Sequence, residues 1–536
     1  MKIDAIPFRK TGYFSELICD YIEGDKEVKP YFGRYPDLEG FKEQLMEKRS
    51  GFPKENREVL GKVLRRQYGD FRMSGATKNN ISHLINNTAF TVTTGHQLNL
   101  FTGPLYFLYK IITAINLTRK LNIAYPDFQF VPVYWMATED HDFEEINYFN
   151  FRGKKLRWNP AGRKEGAVGK LATTGLDILF ETFSQEIGGG QNAETLKGLF
   201  KSAYLEHGNL TDATRYLANA LFGEYGLVIL DGDERELKKL MVPYVKRDLL
   251  EELSFKKVSE TIDQLQEIPK NYGIQVNPRE INYFYLIEGL RERIIRKDGR
   301  FYINNTQLEF SNEEIVKELN ESPERFSPNV ICRPLYQEVI LPNLCYIGGG
   351  GELAYWLQLK SFFKEVQIPF PVLLLRNSAL VVSAKQRNKL DRMSLEVSSL
   401  FLGQSALINK KIREISNINI DFSPQKKFLE EQFKDLYQLA EQTDKSFLGA
   451  VKAQEVKQLK GLDHLEHRLL KAQKRKLRDQ VLRLTALQDE LFPDHSLQER
   501  NLNFSELYLE YGKELVPKLL QALKPLSGDF TIIQME

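Results

Sequence analysis

The sequence predicts an α/β fold built on a doubly wound, mainly parallel sheet, followed by a long helical segment. Three observations predict it. Short apolar runs rich in β-branched and aromatic residues recur along the chain, each ending in glycine or polar residues before a helical pattern begins. That alternation is the mark of parallel α/β sheets. Less regular stretches separate the units and read as insertions. After Pro424 the composition shifts to Lys, Glu, Gln and Leu, with no proline from Gln425 to Leu491.

Taken in order, Ala89–Thr94 is a β-branched strand stopping at Gly95. Gly103-Pro104 then precedes a helix through LYFLYKIITAINLTRKL, with proline suited to a helix start. Phe128–Ala137 reads as a buried strand ending in Thr138-Glu139-Asp140-His141-Asp142. Leu227–Leu230 is a third, running into Asp231-Gly232-Asp233 and a charged helix. A fourth falls around Asn329–Ile347, and Pro371–Leu375, before Arg376, is a fifth. Leu470, Leu477, Leu484 and Leu491 recur every seven residues, with Val481 and Leu487 between them. With the helix around Phe428–Leu439 they predict an antiparallel hairpin or coiled coil that pairs with a second copy of the chain. Asp529–Gln534 is a short strand returning to the core. The resulting division is core at 1–150, insertion at 151–204, core at 205–260, insertion at 261–325, core at 326–420, coiled coil at 421–512 and a return to the core at 513–536.

The composition is that of a globular protein, with 42% hydrophobic and 27% charged residues. The 536 residues carry 74 Lys and Arg against 72 Asp and Glu, a net charge of +2. Nothing in that balance calls for nucleic acid. The basic cluster Lys471, Lys474, Arg475, Lys476 and Arg478 reads as a solvated coiled-coil face. No apolar run reaches the roughly 18 residues of a membrane span, and Met1–Thr11 lacks the apolar stretch of a leader. Cys19, Cys332 and Cys345 form no CxxC pair, so no disulfide framework or all-cysteine zinc site is expected, and a cytoplasmic address is.

Chemistry concentrates in three segments at strand ends, where open α/β sheets gather their ligands. In Thr93–Pro104, Gly95 and Gly103 flank His96, Gln97 and Asn99, and a helix start aims backbone N–H groups at the same space, as in anion sites. The plainer reading is a turn whose polar groups serve its own backbone. In Thr138–Asn147, the carboxylates of Glu139, Asp140, Asp142, Glu144 and Glu145 crowd around His141. Crowding raises the pKa of at least one carboxylate and suits base chemistry, amine binding or recruitment of Mg²⁺ through bound phosphates. One of Asp140 and Asp142 caps the following helix. In Ser327–Tyr355, Gly348, Gly349, Gly350 and Gly351 lead into Glu352 and Tyr355 on a helix, a turn that lets backbone approach a ligand. Asn329, Arg333 and Gln337 precede it. The stretch Gly162–Leu171 lacks the spacing and the Ser/Thr of a phosphate loop. No residue is assigned to a metal.

Together TGHQLNLFTGPLYFLYK, PVYWMATEDHDFEEIN and SPNVICRPLYQEVILPNLCYIGGGGELAYWLQL resemble the bacillithiol-synthesis cysteine-adding enzymes, the BshC family. PFRKTGYFSELICDYI and GLVILDGDERELK fit as well, so the resemblance spans essentially the whole chain. It implies a Rossmann-like doubly wound parallel sheet core with connecting insertions, similar in plan to class I aminoacyl-tRNA synthetases, plus an α-helical coiled-coil domain used for homodimerisation. It also implies a cysteine ligase joining cysteine to the amine of glucosaminyl-malate to give bacillithiol. The pocket it implies is lined by Gly95, His96, Gln97, Asn99, Asp140, His141, Asp142, Arg333, Gln337 and Gly348–Glu352. Relatives commonly read Thr-Gly-Gln-Gln where this chain has His96, which makes Gln97 the steadier donor. The Cys/His zinc cluster of some cysteine-activating synthetases is not visible.

The mechanism expected from these segments uses ATP or another nucleotide with Mg²⁺ to activate the cysteine carboxylate. Glycine and helix-start amides hold phosphates, Arg333 stabilises developing charge, and Asp140 or His141 takes the amine's proton. The rivals are an enzyme activating another amino acid or transferring a nucleotidyl group, and a nucleotide-sensing coiled-coil scaffold.

Overall fold

The computed structural model describes residues 1–69, 71–160 and 165–535. Gly162 of the rejected phosphate-loop match lies outside these residues.

Five strands form the central sheet: β1 (Ala89–His96), β2 (Gln129–Met136), β3 (Val228–Asp231), β4 (Asn343–Gly348) and β5 (Val372–Leu375). All pairings are parallel, in the spatial order β5-β4-β1-β2-β3. Each strand is buried along nearly its whole length. This is why they read as continuous apolar runs: a parallel sheet is covered on both faces, so no alternation with polar residues survives. The chain winds outward from β1 to β3, then returns to the other side of β1 and winds outward again through β4 and β5. The reversal lies between β1 and β4, and it is there that such sheets open a crevice beyond their carboxyl ends.

Helix α1 (Tyr106–Ala124) connects β1 to β2. It starts two residues after Pro104, and several N–H groups around its start are already taken. The Leu105 N–H donates to the Leu502 carbonyl at 2.7 Å, and those of Phe107 and Leu108 donate to Pro104 and Leu105. The expected free donors are therefore already bonded at these positions. Between Asn329 and Ile347 the structure has helix α2 (Arg333–Ile340) before β4, rather than strand throughout. Asn329 starts that helix: its Oδ1 accepts from the N–H groups of Ile331 and Cys332, and Pro334 sits in the first turn. The β-branched run is thus overridden by local start signals.

The insertion between β2 and β3 comprises a hairpin (Tyr148–Phe151 with Lys154–Arg157) and the helices Leu176–Ile187, Gln191–Tyr204 and Leu210–Phe222. The one between β3 and β4 carries a five-stranded antiparallel sheet that includes Tyr283–Ile287 and Leu290–Lys297. Lys2–Pro7 pairs antiparallel with Asp529–Gln534, which runs parallel to Ala379–Val382. The expected C-terminal strand is thus bound to the chain's beginning.

Helix α3 (Gly350–Leu357) follows β4. Beyond the sheet, α4 (Ser423–Glu441) and α5 (Lys445–Lys476) form an antiparallel hairpin, and α6 (Arg478–Leu491) follows. The hairpin seam is Leu429, Phe433, Tyr437, Ala440 and Val451. The heptad leucines are placed differently from expectation. The helix breaks at Leu477, and Leu484 and Leu491 bury into the main core. A seven-residue spacing also marks the buried stripe of a helix lying on a globular body, so the pattern alone did not separate the two. No helix of the described residues is long and apolar enough to cross a membrane. All three cysteines are buried and unpaired.

Candidate active site

A cavity of about 380 Å³ opens beyond the carboxyl ends of β1, β2, β4 and β5. Of the residues singled out above, Gly95, His96, Gln97, Asp140, Arg333, Gln337, Gly349, Gly350, Gly351, Glu352 and Tyr355 line it. Lys110, Arg376, Arg500, Tyr106 and Trp135 join them. Its charged lining is four cations (Lys110, Arg333, Arg376, Arg500) and two carboxylates (Asp140, Glu352), which favours an anionic occupant.

A buried bracket sets the crevice width at the switch point. Lys110 Nζ, from α1, donates to the Gly95 carbonyl at the end of β1 (2.7 Å) and pairs with Glu352 Oε2 (2.6 Å). Glu352 also accepts from the Gly349 N–H (2.8 Å) and the Tyr346 hydroxyl (2.7 Å). Burial would raise its pKa, but Lys110's charge and these donors outweigh that and hold it below the usual range. Glu352 therefore ties the glycine turn after β4 to the end of β1.

The glycines of that turn serve two purposes. A Cβ on Gly348 would lie 2.8 Å from Glu352 Cβ and Leu353 Cδ1, so packing demands glycine there. Added Cβ atoms on Gly349, Gly350 and Gly351 would meet nothing closer than 3.5 Å. These three leave open a backbone surface, at the start of α3, that side chains would otherwise fill.

On the β2 side, the five carboxylates of Thr138–Asn147 disperse. Glu139 turns away to Lys238 (2.6 Å), Glu144 lies 3.5 Å from Arg157, and Glu145 accepts from Gln97 Nε2 (2.9 Å). Asp140 remains at the cavity, accepting from Gln97 Nε2 (3.3 Å) and the His141 N–H (3.0 Å). Burial pushes its pKa up, but the His141 hydrogen bond, the charges of Arg333 and Arg291 and the Gln97 amide together hold it well below the usual carboxylate range. The crowding expectation is reversed here because cations and donors surround the group. The carboxyl that burial and Asp233 push up, to about 6, is Asp231 at the end of β3. Asp142 sits at the start of the Phe143–Ile146 turn without a side-chain capping bond, and Asp140 caps nothing there either.

His141 lies beside the cavity rather than in its lining. Its Nδ1 is 2.6 Å from Arg291 Nη1. A guanidinium only donates, so Nδ1 accepts and the ring proton sits on Nε2. Arg291, stacked 3.9 Å over Phe284, is held down to about 10 by burial and by repulsion from Arg333. Ligand atoms of Asp140, His141 and Asp142 fall within 4.8 Å of one another, as in a cation site, but Arg291 already occupies the imidazole lone pair.

Asn99, Gly103 and Asn329 serve the frame. Asn99 donates to the Glu145 carbonyl (3.1 Å), Gly103 closes a turn at φ +61° against Asn99, and Asn329 starts α2. His96 is buried against Tyr106 and Phe107, its Nε2 has no partner, and burial drives its pKa far down. It is a neutral packing residue at the cavity wall. Helix α2 aims Arg333 and Gln337, one turn apart, at the cavity, and the buried Lys48–Glu338 pair (2.8 Å) anchors it. Among the described residues the Arg333 guanidinium makes no hydrogen bond or ion pair, its backbone N–H donating to the Asn329 carbonyl.

The sequence reading did not assign Lys110, Arg376 or Arg500. Lys110 closes the first quoted segment without a role being given to it, and Arg376 and Arg500 lie outside the three segments. Lys110 could have been found as the lone charge inside an apolar helical run, since a buried charge needs a partner. Arg376 could have been found because it directly follows a strand end, where Gly95 and Gly348 also lie.

Fold and site together define a Rossmann-like α/β protein with a polar cleft at the sheet's switch point and an appended helical hairpin. Residues 1–377 match the family model described as "Bacillithiol biosynthesis BshC, N-terminal Rossmann-like domain", and residues 379–535 match "Bacillithiol biosynthesis BshC, C-terminal coiled-coil domain". The chain belongs to the BshC family. A relative from Christiangramia forsetii is 56% identical over 535 residues, covering 99% of each chain. One from Flavobacterium johnsoniae is 57% identical over 99% of this chain and all of its own. One from Bacillus cereus is 28% identical over 99% of this chain and 98% of its own. All three carry the name "Putative cysteine ligase BshC".

Proposed function

We propose that this chain is a carbon–nitrogen ligase that condenses the carboxyl group of cysteine with the amine of glucosaminyl-malate to give bacillithiol, the carboxylate being activated by ATP or a related nucleotide with Mg²⁺. The observation that carries this reading is the pairing, in one cleft, of an open glycine turn with a free arginine and a fixed carboxylate. Gly349–Gly351 leave room for a phosphate chain against backbone, and Arg333 has no partner of its own. A bound nucleotide would supply the energy that converts the carboxylate oxygen into a leaving group. Arg333 would then stabilise negative charge developing on the reacting oxygens.

Asp140 is assigned a different role from that of a base. A carboxylate held so far down its range takes up protons weakly but still accepts a hydrogen bond from the neutral amine, whose proton leaves to solvent as the new C–N bond forms and the activated oxygen departs. It orients the acceptor amine, with Gln97 fixing its own geometry. His141 is likewise unsuited to accepting a proton while Arg291 fills Nδ1, and its part is to steady Asp140.

The test is incubation of the purified protein with cysteine, glucosaminyl-malate, ATP and Mg²⁺, with mass spectrometry for the ligated thiol. Product dependent on all three substrates is expected. A folded preparation that forms none across nucleotides and metals overturns the reading. Two further features belong to it: a cytoplasmic location, and a homodimer formed through the hairpin, whose Phe428, Leu439 and Leu465 are each more than half exposed.

A further inference from the structure

The end of the cavity beneath β5 is built differently from the rest, and by a different part of the chain. Arg376 follows β5 and is buried. Its Nη1 donates to the Asn377 carbonyl (3.0 Å) and Ser378 Oγ (2.9 Å), and its Nη2 pairs with Glu499 (2.8 Å). Its Nε has no partner. That nitrogen lies 3.7 Å from where a Cβ on Gly349 would sit, so it faces the open glycine turn.

Arg500, the residue after Glu499, lines the same end and is exposed, its guanidinium making no hydrogen bond or ion pair among the described residues. Its position is nevertheless fixed on both sides. Gln498 exchanges two 3.0 Å hydrogen bonds with Val381, and Glu499 accepts from the Ala379 N–H. Downstream, Asn503 Nδ2 donates to the carbonyls of Phe101 (2.8 Å) and Gly103 (2.7 Å). A stapled backbone that presents one unsatisfied guanidinium beside a second, buried one is a prepared oxyanion site.

We propose that Arg376 and Arg500 form the subsite that reads the dicarboxylate of the acceptor, making the C-terminal domain a determinant of acceptor specificity. The proposal rests on the acceptor assigned above. Spacing favours carboxylates over nucleotide phosphates. β5 and β2 are three strand positions apart, about 14 Å at typical strand separation. Side chains reaching inward from both ends shorten that to the length of an amino sugar bearing a four-carbon diacid. The amine then sits at Asp140 and the acid groups at the two guanidinium groups, whose planar forks suit carboxylates. Arg376 also supports Glu499, whereas Arg500 supports nothing, so Arg500→Gln tests the subsite without risking the fold.

The full-length protein and R500Q are compared with glucosaminyl-malate and with methyl glucosaminide, which lacks the diacid. Preference for the malate-bearing acceptor is expected to fall about tenfold or more, the size of one lost charge-assisted hydrogen bond. An unchanged preference overturns the proposal, as does a rise in KM confined to the nucleotide, which would give the two arginines to phosphate. Calorimetric titration of malate keeps the inference separate from turnover. Binding that weakens in R500Q supports the subsite even if no ligated thiol forms, and malate affinity equal in both proteins sinks it even if ligation is confirmed.

Discussion

Arg333 and Arg291 belong to one polar cluster, yet the fold holds them in opposite ways. Arg291 is buried, stacked on Phe284 and bonded to His141 and Ser327. Arg333 is half-buried, its guanidinium is bonded to nothing among the described residues, and its charge repels Arg291 while attracting Asp140. A cation kept unpaired at a cavity wall contributes little to stability, because no hydrogen bond is lost with it and Arg291's repulsion opposes Asp140's attraction. Arg333→Gln is therefore expected to change unfolding free energy by less than about 0.5 kcal/mol in urea titration, as for a surface change. The same variant should lower kcat/KM about a hundredfold, the size of a lost transition-state charge contact. A large loss of stability with activity retained would show that Arg333 is part of the frame instead.

At the scale of elements, the turn between β4 and α3 divides a four-glycine run by purpose. Gly348 is confined by Glu352 and Leu353, and Gly348→Ala should destabilise by about 1–3 kcal/mol through overpacking. Gly350 has ordinary room, its nearest neighbour being Ile18 Cγ1 at 3.6 Å. Gly350→Ala should leave stability unchanged or raise it by up to about 1 kcal/mol through reduced freedom of the unfolded chain, while weakening nucleotide binding. Denaturation midpoints and nucleotide titrations on the two variants check the division. Equal destabilisation by both, with binding unaffected, would mean that the turn is only structural. This element was readable in the sequence because strand ends, glycines and helix starts are local signals. So were β1, β2, β3 and β5, each bounded by its own glycine or polar cluster. Helix α2 was not, because its start depends on Asn329 overriding a β-branched stretch. Nor was the fate of the Thr138–Asn147 carboxylates, since Lys238 and Arg291 come from distant segments and Arg157 is brought back only by the following hairpin. The bracket between Lys110 and Glu352 was hidden for the same reason: Glu352 was legible beside its glycines but its partner was not, and only the winding order of the sheet brings the two together.

Across the whole molecule, the cavity and the hairpin answer to different physical demands. The cavity's walls come from residues of this chain as far apart as Phe14 and Arg500. The hairpin is only partly covered. Its inner seam is closed by Phe433, Ala440 and Val451, but Phe428 is 63% exposed, Leu439 53% and Leu465 52%. Phe428 and Leu465 border an open groove of about 700 Å³ between α4 and α5, with Gly461 adding no side chain to fill it. Apolar surface of this kind on one face of a long two-helix arm is stabilised by covering it, and a second hairpin is the occupant proposed above. The double variant Phe428→Glu, Leu465→Glu places charge on the outer face and leaves the seam untouched. In analytical ultracentrifugation the unmodified protein should sediment as a dimer of its 62.2 kDa chain and the double variant as a monomer, with the far-UV spectrum unchanged. The monomer should retain ligation turnover per chain, because no lining residue of the cavity belongs to α4 or α5. An unmodified protein that is monomeric at micromolar concentration would leave the exposed face unexplained by self-association. A variant that becomes monomeric and inactive together would show that the second copy shapes the cleft after all.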